Sequence, residues 1–179
     1  MRSQIAVLVI GLALGCHPSG GPPNISTEAE LPRPQTGIQG VWRLIGIEYV
    51  EPDGAVEEGT PQESLLYFGS GYYFMGYSHH ETRSQVFDDP WNPTPEEALD
   101  RAGSLVVNAG RYELSDGELI LHPEFAWYPV VVGSRSIIEP TVRGDTLLLT
   151  YVDQIGVDGA SDPYYGRGAR YVLRLERMR

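Results

Sequence analysis

Residues able to do chemistry are sparse in this chain: four histidines and one cysteine stand beside eleven tyrosines. Lysine is absent, so all 13 basic residues are arginines, which removes Schiff-base and serine–lysine chemistry. His79 and His80 are neighbours at the end of a strand-like run. Adjacent strand residues point to opposite faces and do not chelate one metal together. Cys16, the lone cysteine, has no partner for a disulfide, and the histidines show no zinc-site spacing around it. Nucleophile elbows, phosphate-binding loops and zinc-binding helix motifs are missing. Neither a metal nor a cofactor is expected.

One histidine is better placed. Asp116-Gly117 is a two-residue hairpin signal. Folding the chain back at that turn sets Tyr112 opposite Leu121 and Arg111 opposite His122. Arg111 and His122 thus form a candidate polar site on the face away from Tyr112 and Leu121. An imidazole there could serve as a hydrogen-bonding group or base, or simply link strands in a wall. Both readings stand.

These side chains have to be carried by strands. Residues 41–50, 64–68 and 72–78 are β-rich, the last two joined across Gly69-Ser70-Gly71. Thr94-Pro95-Glu96-Glu97 reads as a capped helix start, and apolar spacing predicts a helix to about residue 107. Strands resume over 110–114, 118–122, 134–142, 146–152 and 170–176, with a second tight turn at Gly144-Asp145 and a glycine-rich loop over 154–168. The result is an all-β chain of eight antiparallel strands in meander order, with one helix inserted between strands 3 and 4. That pattern predicts an up-and-down barrel just wide enough for one small ligand. Tyr73, Met75 and Tyr77 alternate on one face of the third strand, and Tyr112 and Leu114 on the fourth.

The N-terminus reads differently. An apolar run over residues 5–14 follows Arg2, long enough for a secretory signal and too short to span a bilayer. Leu12-Ala13-Leu14-Gly15-Cys16 resembles the lipobox of bacterial lipoproteins, with Ala13 where leucine is usual. The resemblance implies a signal peptide over 1–15 and a lipid on Cys16. A Pro/Gly-rich disordered tether over 16–36 would then lead to a folded domain over 37–179. It also implies export and anchoring to the cell envelope, at the outer membrane if the cell is Gram-negative, because His17 rather than aspartate follows the cysteine. The net charge of −11 argues against a nucleic-acid partner and against adhesion of the body to anionic lipid.

Several segments carry a further resemblance. Gly40-Val41-Trp42-Arg43-Leu44, Gly71-Tyr72-Tyr73, Ala109-Gly110-Arg111-Tyr112-Glu113, Pro129 to Gly133, Gly144-Asp145-Thr146-Leu147 and Leu175-Glu176-Arg177 follow the order of motifs in the bacterial lipocalin-like domain family. The resemblance implies a lipocalin-like barrel whose Trp42 closes one end beneath Arg174 or Arg177. Tyr73, Met75, Tyr77 and Tyr112 would line the lumen, with Trp127 and Arg135 near its mouth. A small apolar or amphipathic ligand with an acidic or carbonyl head is the leading expectation. An isomerase- or cyclase-type enzyme using a lumen His, Arg or Tyr is one alternative, and a filled barrel acting in envelope interactions is the other.

Acyl chains contribute roughly 0.8 kcal/mol per buried methylene, so a multiply acylated Cys16 anchors stably. Cys16→Ser is expected to shift the protein from the membrane to the soluble fraction. Unchanged fractionation, with no lipid mass on the N-terminal peptide, would refute the anchor.

Overall fold

A computed structural model describes residues 37–61, 63–78 and 87–179. The signal, tether and Cys16 assignments, and His79-His80, lie outside the described residues. Within them the elements are β1 (Gly40–Val50), β2 (Val56–Gly59), β3 (Ser64–Gly69), β4 (Tyr72–Ser78), α1 (Pro95–Ser104), β5 (Leu105–Ser115), β6 (Glu118–Ala126), β7 (Arg135–Arg143), β8 (Thr146–Ile155), α2 (Pro163–Gly166) and β9 (Arg170–Arg177). A single 3-10 turn, Pro129–Val131, bridges β6 and β7.

The strands close into a ring of eight staves. β2 and β3 share one edge of β1, pairing with Ile47–Val50 and with Gly40–Trp42, so together they form the second stave. The meander runs on through β9, which returns to pair with β1 from Trp42–Arg177 to Val50–Arg170. Closure pairs both sides of β1, except that over Arg43–Gly46 the β2/β3 side has no ladder and the Ser64 hydroxyl bonds the Leu44 backbone instead. The expected barrel, with its helix between the third and fourth staves, is the fold observed.

Three local details differ from the sequence reading. β2 was not anticipated, because Val56-Glu57-Glu58-Gly59 is too polar and short to stand out. The helix ends at Ser104 rather than near 107. Val106 and Val107 are β-branched and pair instead with Tyr77 and Gly76 of β4. The helix start is as expected: Thr94 and Glu97 complete a reciprocal capping box, with Pro95 in the first turn. Leu99, placed on the helix's apolar face, is 74 % exposed and packs on no core.

The two ends of the barrel are built differently. Ser70-Gly71, Asp116-Gly117 and the turn at Gly144 are tight, and the first two place both central residues at positive φ, the twist that suits a two-residue hairpin. All three lie at the end where β1 begins. The longer connections, carrying β2, α1, the 3-10 turn and α2, lie at the other end. We call these the floor and the mouth.

The floor is sealed by one cluster. Trp42 is fully buried, and its indole Nε1 donates to the Ile38 carbonyl at 2.7 Å. The Arg177 guanidinium lies over the indole at 4.1 Å, and donates through Nη1 to the Gln39 carbonyl and through Nη2 to the Gly37 carbonyl, each at 2.7 Å. Gly40 makes this approach possible: its φ is +132°, and a Cβ there would sit 2.6 Å from Arg177 Nη1. Arg174, the other candidate for this role, instead pairs with Glu48 on the outer surface.

Inward residues alternate along each strand, with bulges resetting the phase. In β1 a bulge between Leu44 and Gly46 turns Trp42 and Leu44, then Ile47, inward. β6 and β7 share only the pairs Leu119–Ile138, Ile120–Ile137 and Leu121–Ser136. Pro123 and Pro140, two residues beyond either end of that ladder, offer no N–H to extend it.

Trp42→Ala is expected to destabilise the domain by roughly 3–5 kcal/mol, read from chemical denaturation. A loss below about 1 kcal/mol would show that the floor does not hold the barrel together.

Candidate functional site

The expected lumen residues do face inward. Tyr73, Met75 and Tyr77 of β4 and Tyr112 of β5 are all buried, and belong to one core with Trp42, Phe68, Leu121, Leu149 and Leu173. Their period-two spacing on strands that pair Tyr73 with Gly110 and Tyr77 with Val106 brings them onto one curved surface. Near the floor Phe68 stacks on Tyr73 at 6.3 Å and meets Tyr112 edge-on at 5.5 Å.

Other predicted positions fall elsewhere. Arg135 opens β7 at the mouth, but it is exposed and its neighbour Ser136 points inward, so alternation turns the guanidinium out. It cannot meet an acidic ligand head in the lumen. Trp127 sits on the mouth rim beyond β6, 50 % exposed. Arg111 and His122 are paired as anticipated, on the outer wall. Arg111 Nε bonds Glu124 at 2.8 Å, and His122 Nε2 faces Glu113 at 3.2 Å. Both are strand-linking wall residues, so an enzyme reading that needs a lumen histidine or arginine loses both. Among the described residues no three metal-ligating side chains gather.

Sequence reading missed the tyrosines of the last strands. Tyr151 and Tyr171 pair across β8 and β9, and Tyr171 also lies opposite Tyr49 of β1. Their rings pack at 5.5 Å and 4.9 Å. The Tyr77 hydroxyl reaches across the lumen to the Tyr171 hydroxyl at 2.9 Å, and the Tyr151 hydroxyl donates to Met75 Sδ at 3.4 Å. With Tyr165 of α2 these rings form a tyrosine layer at the mouth. The signal was present in the alternation Tyr171, Leu173, Leu175, a pattern that reads as core filling until closure makes it a lumen wall.

Polar atoms sit in this interior. Tyr73 Oη, on a side chain 2 % exposed, has no hydrogen-bond partner among the described residues, and neither does Asn108 Oδ1. The Tyr112 hydroxyl also lacks one, although Gln39 lies close by. Near the mouth Ser136 donates to Gln154 Oε1 at 2.8 Å, Gln154 Nε2 donates to Ser134, and Ser134 donates to the Val131 carbonyl at 2.6 Å. Among the described residues the buried polar side chains outside the tyrosines are all serines, with no charged group.

Burial pushes the hydroxyls of Tyr73, Tyr77, Tyr151, Tyr165 and Tyr171 well above the ordinary tyrosine range. The folded state thus favours the neutral phenols. Their stabilisation is complete below the unfolded tyrosine pKa of about 10 and declines as pH rises beyond it. In a spectrophotometric titration near 295 nm these five phenols are expected to ionise only with cooperative unfolding above about pH 11. Smooth ionisation of all tyrosines without loss of fold would contradict the buried layer.

A crystal structure of a lipocalin-like protein from Bacteroides uniformis ATCC 8492 superposes with a TM-score of 0.40 at 14 % identity, covering 78 % of this chain and 97 % of that one. No curated protein matches. The family model of the lipocalin-like domain matches residues 39–162, from the entry into β1 to the start of α2. The chain belongs to the lipocalin-like domain family.

Proposed function

We propose that the domain binds a small apolar or amphipathic molecule in its lumen while a lipid on Cys16 tethers it to the cell envelope. The unpartnered Tyr73 hydroxyl carries the binding reading. A buried hydroxyl without a partner costs about 1–3 kcal/mol, and a polar atom of a ligand would remove that cost. The aromatic and aliphatic walls supply the apolar remainder of such a site. The lipocalin-like fold is consistent with this use. The tether rests on the lipobox-like run ahead of Cys16 and on the unique cysteine at its end.

One observation favours a second reading. The Tyr77–Tyr171 and Tyr151–Met75 contacts cross the lumen, as they would in a barrel filled by its own side chains. The two readings differ in what Tyr73 does. Nile red, a neutral apolar dye, is expected to bind the full chain with a blue-shifted emission. Tyr73→Phe should weaken it about fivefold, at an unchanged or higher thermal midpoint. Native mass spectrometry of the purified chain should show a retained small molecule. A bare mass together with dye binding indifferent to Tyr73→Phe would favour the filled barrel.

A further inference from the structure

The outer wall of the barrel is not uniform. Between Ser64 and Ser78, over residues 105–110 and between Phe125 and Ser134 no charged residue occurs. The opposite flank exposes Arg135, Glu139 and Arg143 on β7, and Arg174 and Glu176 on β9. Register joins the uncharged segments into one surface. Val41 pairs with Tyr67, Tyr67 with Phe74, Phe74 with Ala109 and Ala109 with Phe125, a row across β1, β3, β4, β5 and β6. Their neighbours Trp42, Phe68, Tyr73 and Met75 are buried in the core, so alternation turns the row outward. A second row starts nearer the mouth at Leu65 and ends at Trp127, whose amide donates to the Val107 carbonyl at 2.7 Å. Phe125 is 62 % exposed and Leu65 45 %. The Tyr67 ring lies over Gly69 and the Phe74 ring over Gly76, so both rings lie along the wall and leave it flat. Charges at its border are paired, Arg43 with Glu176 and Arg111 with Glu124.

A flat apolar surface bearing tyrosine and tryptophan suits either another protein or the interface of a bilayer. Two observations select the bilayer. The described domain begins at Gly37, and β1, which carries Val41, opens three residues later. Cys16 stands 21 residues ahead of Gly37, a length that reaches at most about 70 Å, against roughly 30 Å for a nine-residue strand. A lipid on Cys16 therefore holds this wall within reach of the bilayer, at an effective concentration that makes a modest apolar contact sufficient. Charge argues against a second copy: bodies of net charge −11 repel each other, whereas zwitterionic headgroups carry no net charge.

We infer that the outer wall over β1, β3, β4, β5 and β6 docks on the zwitterionic surface of the bilayer that holds the Cys16 lipid. Docking rests on the tether reading above and gives it an orientation. The barrel lies on its side, with the charged flank of β7 and β9 toward solvent.

Tryptophan fluorescence reads this contact, because Trp42 is buried and Trp91→Phe removes the remaining signal away from the wall. The full chain with Trp91→Phe is mixed with phosphatidylcholine vesicles whose acyl chains are brominated and quench at short range. About a third of the emission is expected to be lost, and none once Trp127→Phe is added. Leu65→Ser combined with Phe125→Ser, both at exposed positions, should cut the quenching about twofold at an unchanged thermal midpoint. The mass of the N-terminal peptide reports the lipid on Cys16 separately. Vesicle binding through the N-terminus alone, with Trp127 unquenched, would overturn docking and leave the tether. Quenching without a lipid on Cys16 would remove the tether and support docking. A dimer in sedimentation that Leu65→Ser with Phe125→Ser dissolves would overturn docking in favour of a second copy.

Discussion

Closure of the sheet depends on a single seam, β9 against β1, and on what sits at its lower end. Trp42 and Arg177 are registered partners in that seam. The indole fills the floor, the guanidinium covers it, and two carbonyls from residues 37–39 receive the guanidinium hydrogens. One arginine thereby satisfies carbonyls of the segment leading into β1, caps an aromatic ring and joins the first strand to the last. The cation–π contact alone is worth only about 1 kcal/mol. Its weight comes from position: the seam pairs residues 120 to 135 apart in sequence, and closing so long a loop carries a large entropic cost. Gly40 completes the arrangement by having no side chain where Arg177 must pass.

With the floor closed and tightly turned, variation is left to the mouth. Short hairpins at the floor hold register, whereas the mouth connections carry the exposed helix, the acidic residues and two of the three tryptophans. The interior runs from aliphatic and aromatic packing around Trp42 to a hydroxyl-rich tyrosine layer near the rim. Buried hydroxyls thus occur at both levels, Tyr73 and Tyr112 near the floor and the tyrosine layer near the rim, and no charged side chain is buried among the described residues.

Much of this was legible in the sequence for physical reasons. Tight turns have few chemical solutions, so Asp116-Gly117 placed the register from Ser115–Glu118 to Arg111–His122 correctly. Capping chemistry is equally local, and Thr94 and Glu97 marked the start of α1. The helix end was less legible, because Val106 and Val107 satisfy a helical spacing and yet gain more from pairing with β4. Bulges were invisible: the shift between Leu44 and Gly46 turns Ile47 inward where strict alternation from Leu44 would point it out. The direction of Arg135 depended on knowing that Ser136 faces the lumen, a fact of the closed ring rather than of its own segment. The mouth tyrosines were hidden in a similar way, since Tyr49, Tyr77 and Tyr171 are brought together only when the first, third and last staves curve around one axis.

The β6–β7 ladder has a consequence for how the wall behaves. Three residue pairs bracketed by two prolines make it the shortest stave-to-stave connection among the described residues. Above Leu121 and Ser136 the strands are linked by Gly133 donating to the Pro123 carbonyl at 2.9 Å, and by the serine–glutamine relay inside the mouth. A barrel opens most cheaply where the fewest backbone hydrogen bonds must break. Local opening is therefore expected to cost least on this flank, beside the Ser136–Gln154 pair. The wall is therefore least tied by backbone bonds on one flank, between two prolines.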